Sequence, residues 1–435
     1  MKLGAGAFIA GAASRLLPPS IPFRFFGAAV VYHLLAWIAL LAGAQGVPRF
    51  AGGLGWPLAA LHLLTLGVLA MTAIGASLQL LPVATRQPVR SKRWPALIWW
   101  LYTPGVAAVA LGMGMPAPRL LAGGAVAIVA ALGGYALLLA RNLIGARGMP
   151  VVVAHGWAAL GSLVVVLATA LSLVCAYLGF PGFERGMALS LHVAFAAYGF
   201  MGLLALGLSY ILVPMFALSV PPDERRAWVS LALAVIALLL SAAASSGIAQ
   251  QPLCIAAIGA GTLAVALHLQ LMSVALKSGM RRELGRSFTL VRIAWALLVA
   301  SLVAALGIAI NAPVAGMATL FGILLIGGWL LTFLVGILQR IMPFLASMHA
   351  APGKRLPPTP SSLTAQRPLS IHFVCHLAAL GLLALAVVID SERVASAAEL
   401  VGSAGAAAFA GFFLIVLKRM SAPDLKTGRR QVSAG

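Results

Sequence analysis

The chain consists mainly of long apolar stretches separated by short polar connections. A helix needs about 20 apolar residues to cross a hydrocarbon core about 30 Å thick. Twelve stretches meet this requirement, and 62% of the residues are hydrophobic whereas 9% are charged. No water-soluble fold of 435 residues hides so much apolar surface. The sequence therefore predicts an all-α polytopic membrane protein embedded in a lipid bilayer.

The predicted spans form a single membrane domain over residues 24–418. They are 24–45, 55–83, 94–115, 118–141, 150–178, 185–218, 227–248, 251–277, 288–311, 313–346, 368–390 and 395–418. Residues 1–23 are predicted to be a cytoplasmic lead-in. The Pro-rich stretch 347–367 is predicted to be a cytoplasmic linker between spans 10 and 11, and residues 419–435 a basic cytoplasmic tail.

The basic residues are distributed unevenly over the connections. With a cytoplasmic N-terminus, 25 of the 29 Lys and Arg residues lie on the cytoplasmic side, and the exceptions are Arg49, Arg119, Arg185 and Arg393. This bias follows the positive-inside rule. It predicts that both termini face the cytoplasm of a bacterial-type inner membrane. The net charge of +21 is therefore a topology signal with anionic lipid as its partner, and we expect no nucleic acid.

A Gly followed seven residues later by a Pro recurs three times. The three copies are Gly75 and Pro82 in span 2, Gly207 and Pro214 in span 6, and Gly336 and Pro343 in span 10. The prolines are separated by 132 and 129 residues, so the repeat unit contains four spans. Gly also permits close helix packing and Pro often marks a helix end, so one copy alone would be weak. Three copies predict three four-helix arcs, whereas transporters of the commonest kind repeat after six helices.

Two histidines accompany this repeat. His62 and His192 each lie seven residues into a predicted span that enters from the outer face, roughly 10 Å deep at 1.5 Å per residue. Neutral imidazole is the usual ligand of haem iron and copper in a dry site. We therefore predict a ligand role for both, with His33 near the middle of span 1 as a third candidate. The alternative for each histidine is a simple hydrogen bond to a neighbouring helix.

A second group of histidines lies towards the inner face. His372 and His376 are four residues apart and share one face of span 11, and His349 lies in the adjoining segment. This set predicts a copper or zinc site. The alternative is that these histidines place their polar tips among the lipid headgroups.

The positions of the acidic residues limit the possible transport mechanisms. All eight lie at or near the ends of predicted spans, and none lies near the membrane midplane. Proton-coupled transporters usually carry a midplane carboxylate, so the pattern weakens that interpretation.

Twelve spans in three four-helix arcs, with His62 followed by Gly75 and Pro82 in span 2, resemble subunit I of the haem-copper oxidases and nitric oxide reductases. The resemblance implies that His62 ligates a low-spin haem. It also implies that His192 occupies the helix that carries a copper ligand in that family.

Much of the ligand set of that family is missing. Position 196, where a His or Tyr is expected, is Ala196, and span 7 lacks the adjacent His-His pair. Span 10 lacks the His-x-His motif and carries Phe321, Gly322 and Ile323 near the expected depth. The pattern excludes a working terminal oxidase of the usual kind.

The combined prediction is a membrane protein that holds haem b through His62, with His192 and His33 as further ligands and copper as a second cofactor. It would act in electron transfer, nitric oxide handling or respiratory-complex maturation, with a redox partner in the respiratory chain. Two alternatives stay open. One is a carrier for a small molecule or metal, and the other is a cofactor-free assembly factor with the same fold.

Overall fold

The computed structural model describes residues 17–87, 91, 93–281, 283–350 and 358–421. Much of the predicted lead-in, linker and tail lies outside these residues. The described part is all-helical, and twelve of its helices are long and apolar enough to span a membrane. The predicted fold class is confirmed.

The membrane helices closely follow the predicted spans. They are α1 (Ser20–Ala42), α2 (Trp56–Thr85), α3 (Arg93–Gly114), α4 (Pro118–Ile144), α5 (Pro150–Tyr177), α6 (Arg185–Ala217), α7 (Glu224–Ser245), α8 (Gln250–Ser278), α9 (Gly285–Ala309), α10 (Met317–Ala350), α11 (Gln366–Val388) and α12 (Glu392–Ser421). Short helices also occur at Ala44–Gly46 and Pro360–Leu363. Helix α10 continues four residues past its predicted end and contains Pro343.

The packing of neighbouring helices repeats every four helices. The most extensive contacts join α3 to α4, α7 to α8, and α11 to α12. Because α12 also packs on α1, the arcs are α11–α12–α1–α2, α3–α6 and α7–α10. The first arc therefore joins the two ends of the chain.

Each arc ends in a helix at the centre of the bundle. In α2, α6 and α10, between 61% and 83% of the residues in the most apolar 18-residue stretch are buried inside the protein. In the other nine helices this share is 22% to 50%. Helices α2 and α6 both contact α10 in the half of the bundle where α10 begins, through residues 63–70 of α2 and 195–202 of α6 against residues 323–331 of α10. These three helices form the core.

The repeated glycines allow each central helix to approach the preceding helix closely. An added Cβ would lie 2.8 Å from Phe25 Cβ at Gly75, 2.6 Å from His155 Cβ at Gly207, and 3.2 Å from Leu290 Cβ at Gly336. A second glycine recurs eight residues earlier in each helix. It is Gly67 against Tyr32, Gly199 against Ser162, and Gly328 against Leu297. The repeat is therefore a packing pattern in which two glycines face two residues seven apart on the neighbouring helix.

Each central helix also widens into a π-helical segment. These segments are Leu63–Ala70 in α2, Phe195–Gly202 in α6 and Ile323–Leu331 in α10. They occupy matching positions in the three arcs. π-Helical turns are rare and frequently mark functional sites.

The central helices are more accessible at one end of the bundle than at the other. We call the end where α1 begins and α12 ends the basic face, and the other end the distal face. Near the distal face, residues 56–66 of α2, 185–198 of α6 and 317–324 of α10 are largely accessible or half-buried. Beyond them, towards the basic face, the central helices are almost completely buried. The centre is therefore more open towards the distal face.

Candidate functional site

His62 and His192 lie on two of the three central helices. They belong to α2 and α6 and lie near the distal face. Both are half-buried, in the part of the central helices that is more open. We call them the open pair. Each lies just before the π-helical segment of its helix.

The proton position on His62 follows from its hydrogen bond. Its Nδ1 lies 3.0 Å from the carbonyl oxygen of Leu58, one turn earlier. A carbonyl oxygen only accepts, so Nδ1 carries the hydrogen and Nε2 keeps its lone pair. Metal-bound histidines commonly donate their other N–H to such a carbonyl.

His192 also carries its hydrogen on Nδ1, but its hydrogen-bond partner is a hydroxyl group. Its Nδ1 lies 3.3 Å from Thr169 Oγ1 in α5. The Thr169 hydroxyl donates its hydrogen to the Val165 carbonyl at 2.8 Å, so Oγ1 accepts from His192 Nδ1. Within the described residues, neither histidine of the open pair has a hydrogen-bond partner at Nε2. Two nitrogen lone pairs are thus available for a ligand.

The open pair is matched in depth but not in repeat register. His62 precedes Gly75 by 13 residues, whereas His192 precedes Gly207 by 15 residues. Two residues correspond to about 200° of rotation around a helix. Equivalent positions in the arcs would point the same way around the bundle. Because of this shift in register, the two histidines do not occupy equivalent positions in their arcs.

The start of α6 is held by Glu184. Its carboxylate accepts hydrogen bonds from the backbone N–H groups of Gly186 and Met187 at 2.8 Å and 2.7 Å. These bonds lower the pKa of Glu184 below its usual value. The cap fixes the first turn of the helix that carries His192.

His33 lies elsewhere, with the two histidines of α11. The ring centroids of His33 and His372 are 6.1 Å apart, and those of His372 and His376 are 5.3 Å apart. Phe409 of α12 lies 4.8 Å from His372. All three histidines are at most 2% exposed, and we call them the buried trio. The structure thus separates His33 from the open pair.

Each ring of the buried trio has a protein partner. Trp37 Nε1 donates to His33 Nε2 at 3.3 Å, His372 Nδ1 donates to the Gly405 carbonyl at 3.1 Å, and His376 Nε2 lies 2.8 Å from Thr332 Oγ1. One buried nitrogen, His372 Nε2, has no partner. Across the described residues, no group of three or more His, Cys, Asp or Glu side chains is arranged to hold a metal ion. The trio is a packed, hydrogen-bonded network.

His349 lies at the basic face, next to α2. Its Nε2 is 3.5 Å from Gln79 Nε2, and Gln79 Oε1 accepts from the backbone N–H of Leu17 at 3.2 Å. This contact ties the end of α10 to α2. It does not bring His349 to His372 and His376.

A third histidine group was not predicted from the sequence. The Tyr210 ring lies 5.5 Å from His155 and 5.1 Å from His268, measured between centroids. His268 Nδ1 is 3.2 Å from the Tyr210 hydroxyl. The one feature of the sequence related to this group is Gly207, because its lack of a side chain lets His155 pack directly against α6.

The donor chemistry of the open pair fits a haem iron. Both Nε2 atoms are available, and both rings are oriented by hydrogen bonds from Nδ1. In α10, where the resemblance would require a second haem ligand, Phe321, Gly322 and Ile323 offer no side-chain nitrogen. The residues that fit are therefore on α2 and α6.

No protein-family model and no curated protein matches the sequence. Sixteen chains of solved structures are similar to this chain. One belongs to the cryo-EM structure of a haem-copper terminal oxidase dimer, with a TM-score of 0.63 and 13% identity, covering 94% of this chain and 85% of that chain. At that identity the likeness is one of fold. The chain has a twelve-helix fold like that of a haem-copper oxidase subunit.

Proposed function

We propose that this protein binds a b-type haem through His62 and His192 and transfers electrons rather than reducing oxygen. The observation that carries the proposal is the open pair, two histidines on central helices near the distal face whose Nε2 lone pairs have no hydrogen-bond partner in the described chain. Haem iron held by two protein ligands has no open coordination position, so the chemistry it supplies is one-electron transfer.

The surrounding residues support this role by orienting the ligands. The Leu58 carbonyl and the Thr169 hydroxyl hold the two rings in the form that leaves Nε2 free. Such partners of a ligand typically change metal affinity by about 10- to 100-fold when removed. The half-buried position of both rings favours exchange of electrons with a partner at the distal face.

The choice of electron transfer over oxygen reduction rests on the available side chains. A binuclear centre needs further ligands, and the described residues hold no group of three metal-binding side chains. We keep copper at His372 and His376 as a secondary proposal, with nitric oxide handling and respiratory-complex maturation as related roles.

We also propose that the basic face lies in the cytoplasm of a bacterial-type inner membrane. The support is the 25 to 4 division of basic residues between the two sides. A respiratory-chain redox partner would then approach from the opposite side of the membrane. Reporter fusions at both termini and at the Arg49 loop test this orientation. Cytoplasmic reporter activity at the Arg49 loop, or non-cytoplasmic activity at either terminus, would contradict it.

A carrier is the second candidate function, and one observation favours it. The centre of the bundle is more open at the distal face and closed towards the basic face, as expected for one state of an alternating-access protein. A cofactor-free assembly factor would need neither the opening nor the free lone pairs.

The visible spectrum of the purified protein, produced with ample haem, separates these functions. We expect a Soret band that is lost in His62→Ala and shifted in His192→Ala, where the haem keeps one protein ligand, while His349→Ala at the basic face leaves the band unchanged. Circular dichroism and size-exclusion chromatography establish that each variant is folded. Added imidazole should restore the band in His62→Gly by replacing the missing ligand. A colourless folded wild-type protein would rule out the haem proposal and leave the carrier and the assembly factor.

A further inference from the structure

Glu399 is a buried carboxyl group with no partner. It lies seven residues beyond the start of α12, roughly 10 Å below the distal face at 1.5 Å per residue. The residue is 0% exposed, and neither carboxyl oxygen has a hydrogen-bond partner within the described chain. An isolated charge in such a place is costly, and carboxyl groups inside membrane helices are rare and usually functional.

The surroundings of Glu399 are apolar. Its neighbours in α12, Ala395 and Ala398, pack in a cluster with Trp37 of α1 and with Ala379 and Leu383 of α11. Gly402, one turn further along α12, lies against the Trp37 ring. This packing closes the space around the carboxyl group to bulk water.

No charged group compensates Glu399. The titratable or charged side chains on the packed elements are Arg24, Tyr32 and His33 of α1, Arg367, His372, Cys375 and His376 of α11, Glu392, Arg393, Lys418 and Arg419 of α12 itself, and the exposed Arg49–Asp390 ion pair at the distal surface. Neither carboxyl oxygen of Glu399 has a hydrogen-bond partner among the described residues. The neutral, protonated form is therefore the one that these surroundings stabilise.

The available oxygens favour a proton over a metal cation as the ligand. Helix α12 is continuous from Glu392 to Ser421, so its backbone carbonyls are used within the helix. One turn away, the Ser403 hydroxyl is also buried without a partner. Hard cations take about six or more oxygens, and this site offers the two of Glu399 and the one of Ser403.

We propose that Glu399 is a proton-binding site within the membrane, reached from the distal face. The carboxyl group binds a proton when neutral and releases it only when α12 moves enough to admit water or a hydrogen-bond donor. This site is separate from the open pair, and the proposal does not depend on haem binding.

Carbodiimide labelling tests the proposal on the full-length protein in proteoliposomes. Hydrophobic dicyclohexylcarbodiimide reacts with protonated carboxyl groups in apolar surroundings. The carboxyl O–H adds across one C=N bond, and acyl transfer to nitrogen then gives a stable N-acylurea. We expect mass spectrometry to find this label mainly at Glu399, and to find none on that peptide in Glu399→Gln. The matched control is Glu392→Gln, at the exposed start of the same helix, which should retain the label.

Two further measurements make the test decisive. A water-soluble carbodiimide with an added amine should label Glu392 and leave Glu399 unmodified. Raising the pH on the distal side should slow labelling of Glu399, while raising it on the basic side should not. An infrared carboxyl C=O band that is lost in Glu399→Gln would independently report the bound proton. Absence of both the hydrophobic label and this band, or equal labelling of Glu399 and Glu392 by the water-soluble reagent, would overturn the proposal.

Discussion

The open pair and the buried trio use the same side chain in different ways. In the open pair, each ring is half-buried and its Nδ1 is hydrogen-bonded, and the Val166 backbone is a further partner of His192. In the trio, the rings are almost completely buried: His376 is stacked on His372, His33 meets His372 edge-on, and Phe409 lies tilted against His372. The proposed ligand histidines and the packing histidines therefore differ in how their ring nitrogens are bonded and in how completely their rings are buried.

The largest expected effect separates the two groups by cofactor content. His62→Ala should lose all bound haem with little change in thermal stability, because a half-buried ring with one local bond contributes little packing. His376→Ala should retain the haem and destabilise the fold by about 2–5 kcal/mol, because it leaves a cavity and removes the partner of Thr332. Pyridine haemochrome assays and thermal unfolding measure the two quantities. Haem loss in His376→Ala with an unchanged unfolding midpoint would mean that the trio, and not the open pair, binds the haem.

Removing the support of one ligand should have the next largest effect. Thr169→Val deletes the hydroxyl that orients His192, so we expect haem affinity to fall by about 10- to 100-fold. Thr262→Val is the matched control, because exposed Thr262 donates to the Ile258 carbonyl and lies on α8, which carries neither histidine of the open pair. Haem transfer to apomyoglobin measures the affinity. Equal affinities in the two variants would mean that Thr169 does not position a ligand.

Helix packing beside the trio should be sensitive to one methyl group. Gly402→Ala places a Cβ against the Trp37 ring and should cost about 1–3 kcal/mol of stability without changing the haem content. Gly411→Ala on the same helix meets no atom within 4 Å, so it should be neutral or slightly stabilising. The unfolding midpoints of the two variants provide the comparison. A Gly402→Ala protein as stable as Gly411→Ala would show that the trio is loosely packed.

The smallest expected effect is a pH dependence near the open pair. The pKa of Glu184 is lower in the folded protein than its usual 4.5, because two backbone N–H groups donate to its carboxylate. The stabilisation of the first turn of α6 is therefore complete above the usual value and is lost as the pH falls through the folded pKa. Amide hydrogen exchange at Gly186 and Met187 should accelerate in Glu184→Gln, which removes the cap charge. In Glu392→Gln these amides should be unaffected, and identical exchange in both variants would contradict the capping role.

The sequence alone predicted the fold because its signals are local. Twelve apolar stretches and the Gly–Pro repeat determine the number of helices and the four-helix unit. The same repeat did not reveal Gly67, Gly199 and Gly328, although they follow the same spacing. Nor does any apolar pattern indicate the π-helical segments, since π and α turns accept the same side chains.

The site was less predictable because it depends on contacts between distant segments. Matched depth led to the prediction that His62 and His192 are ligands, but the proximity of His33 and His372 depends on how the first arc joins the two ends of the chain. The same closure surrounds Glu399 with residues of α1 and α11. A carboxylate near a predicted span end was therefore expected to be close to water, whereas the structure buries it.

Electron paramagnetic resonance of the oxidised, purified protein tests the central claim most directly. Ligation by His62 and His192 predicts a low-spin ferric signal of the bis-imidazole type in the wild-type protein. In His192→Ala we expect a high-spin signal, because one coordination position is left without a protein ligand. A high-spin signal in the wild-type protein, or an unchanged low-spin signal in His192→Ala, would contradict the account.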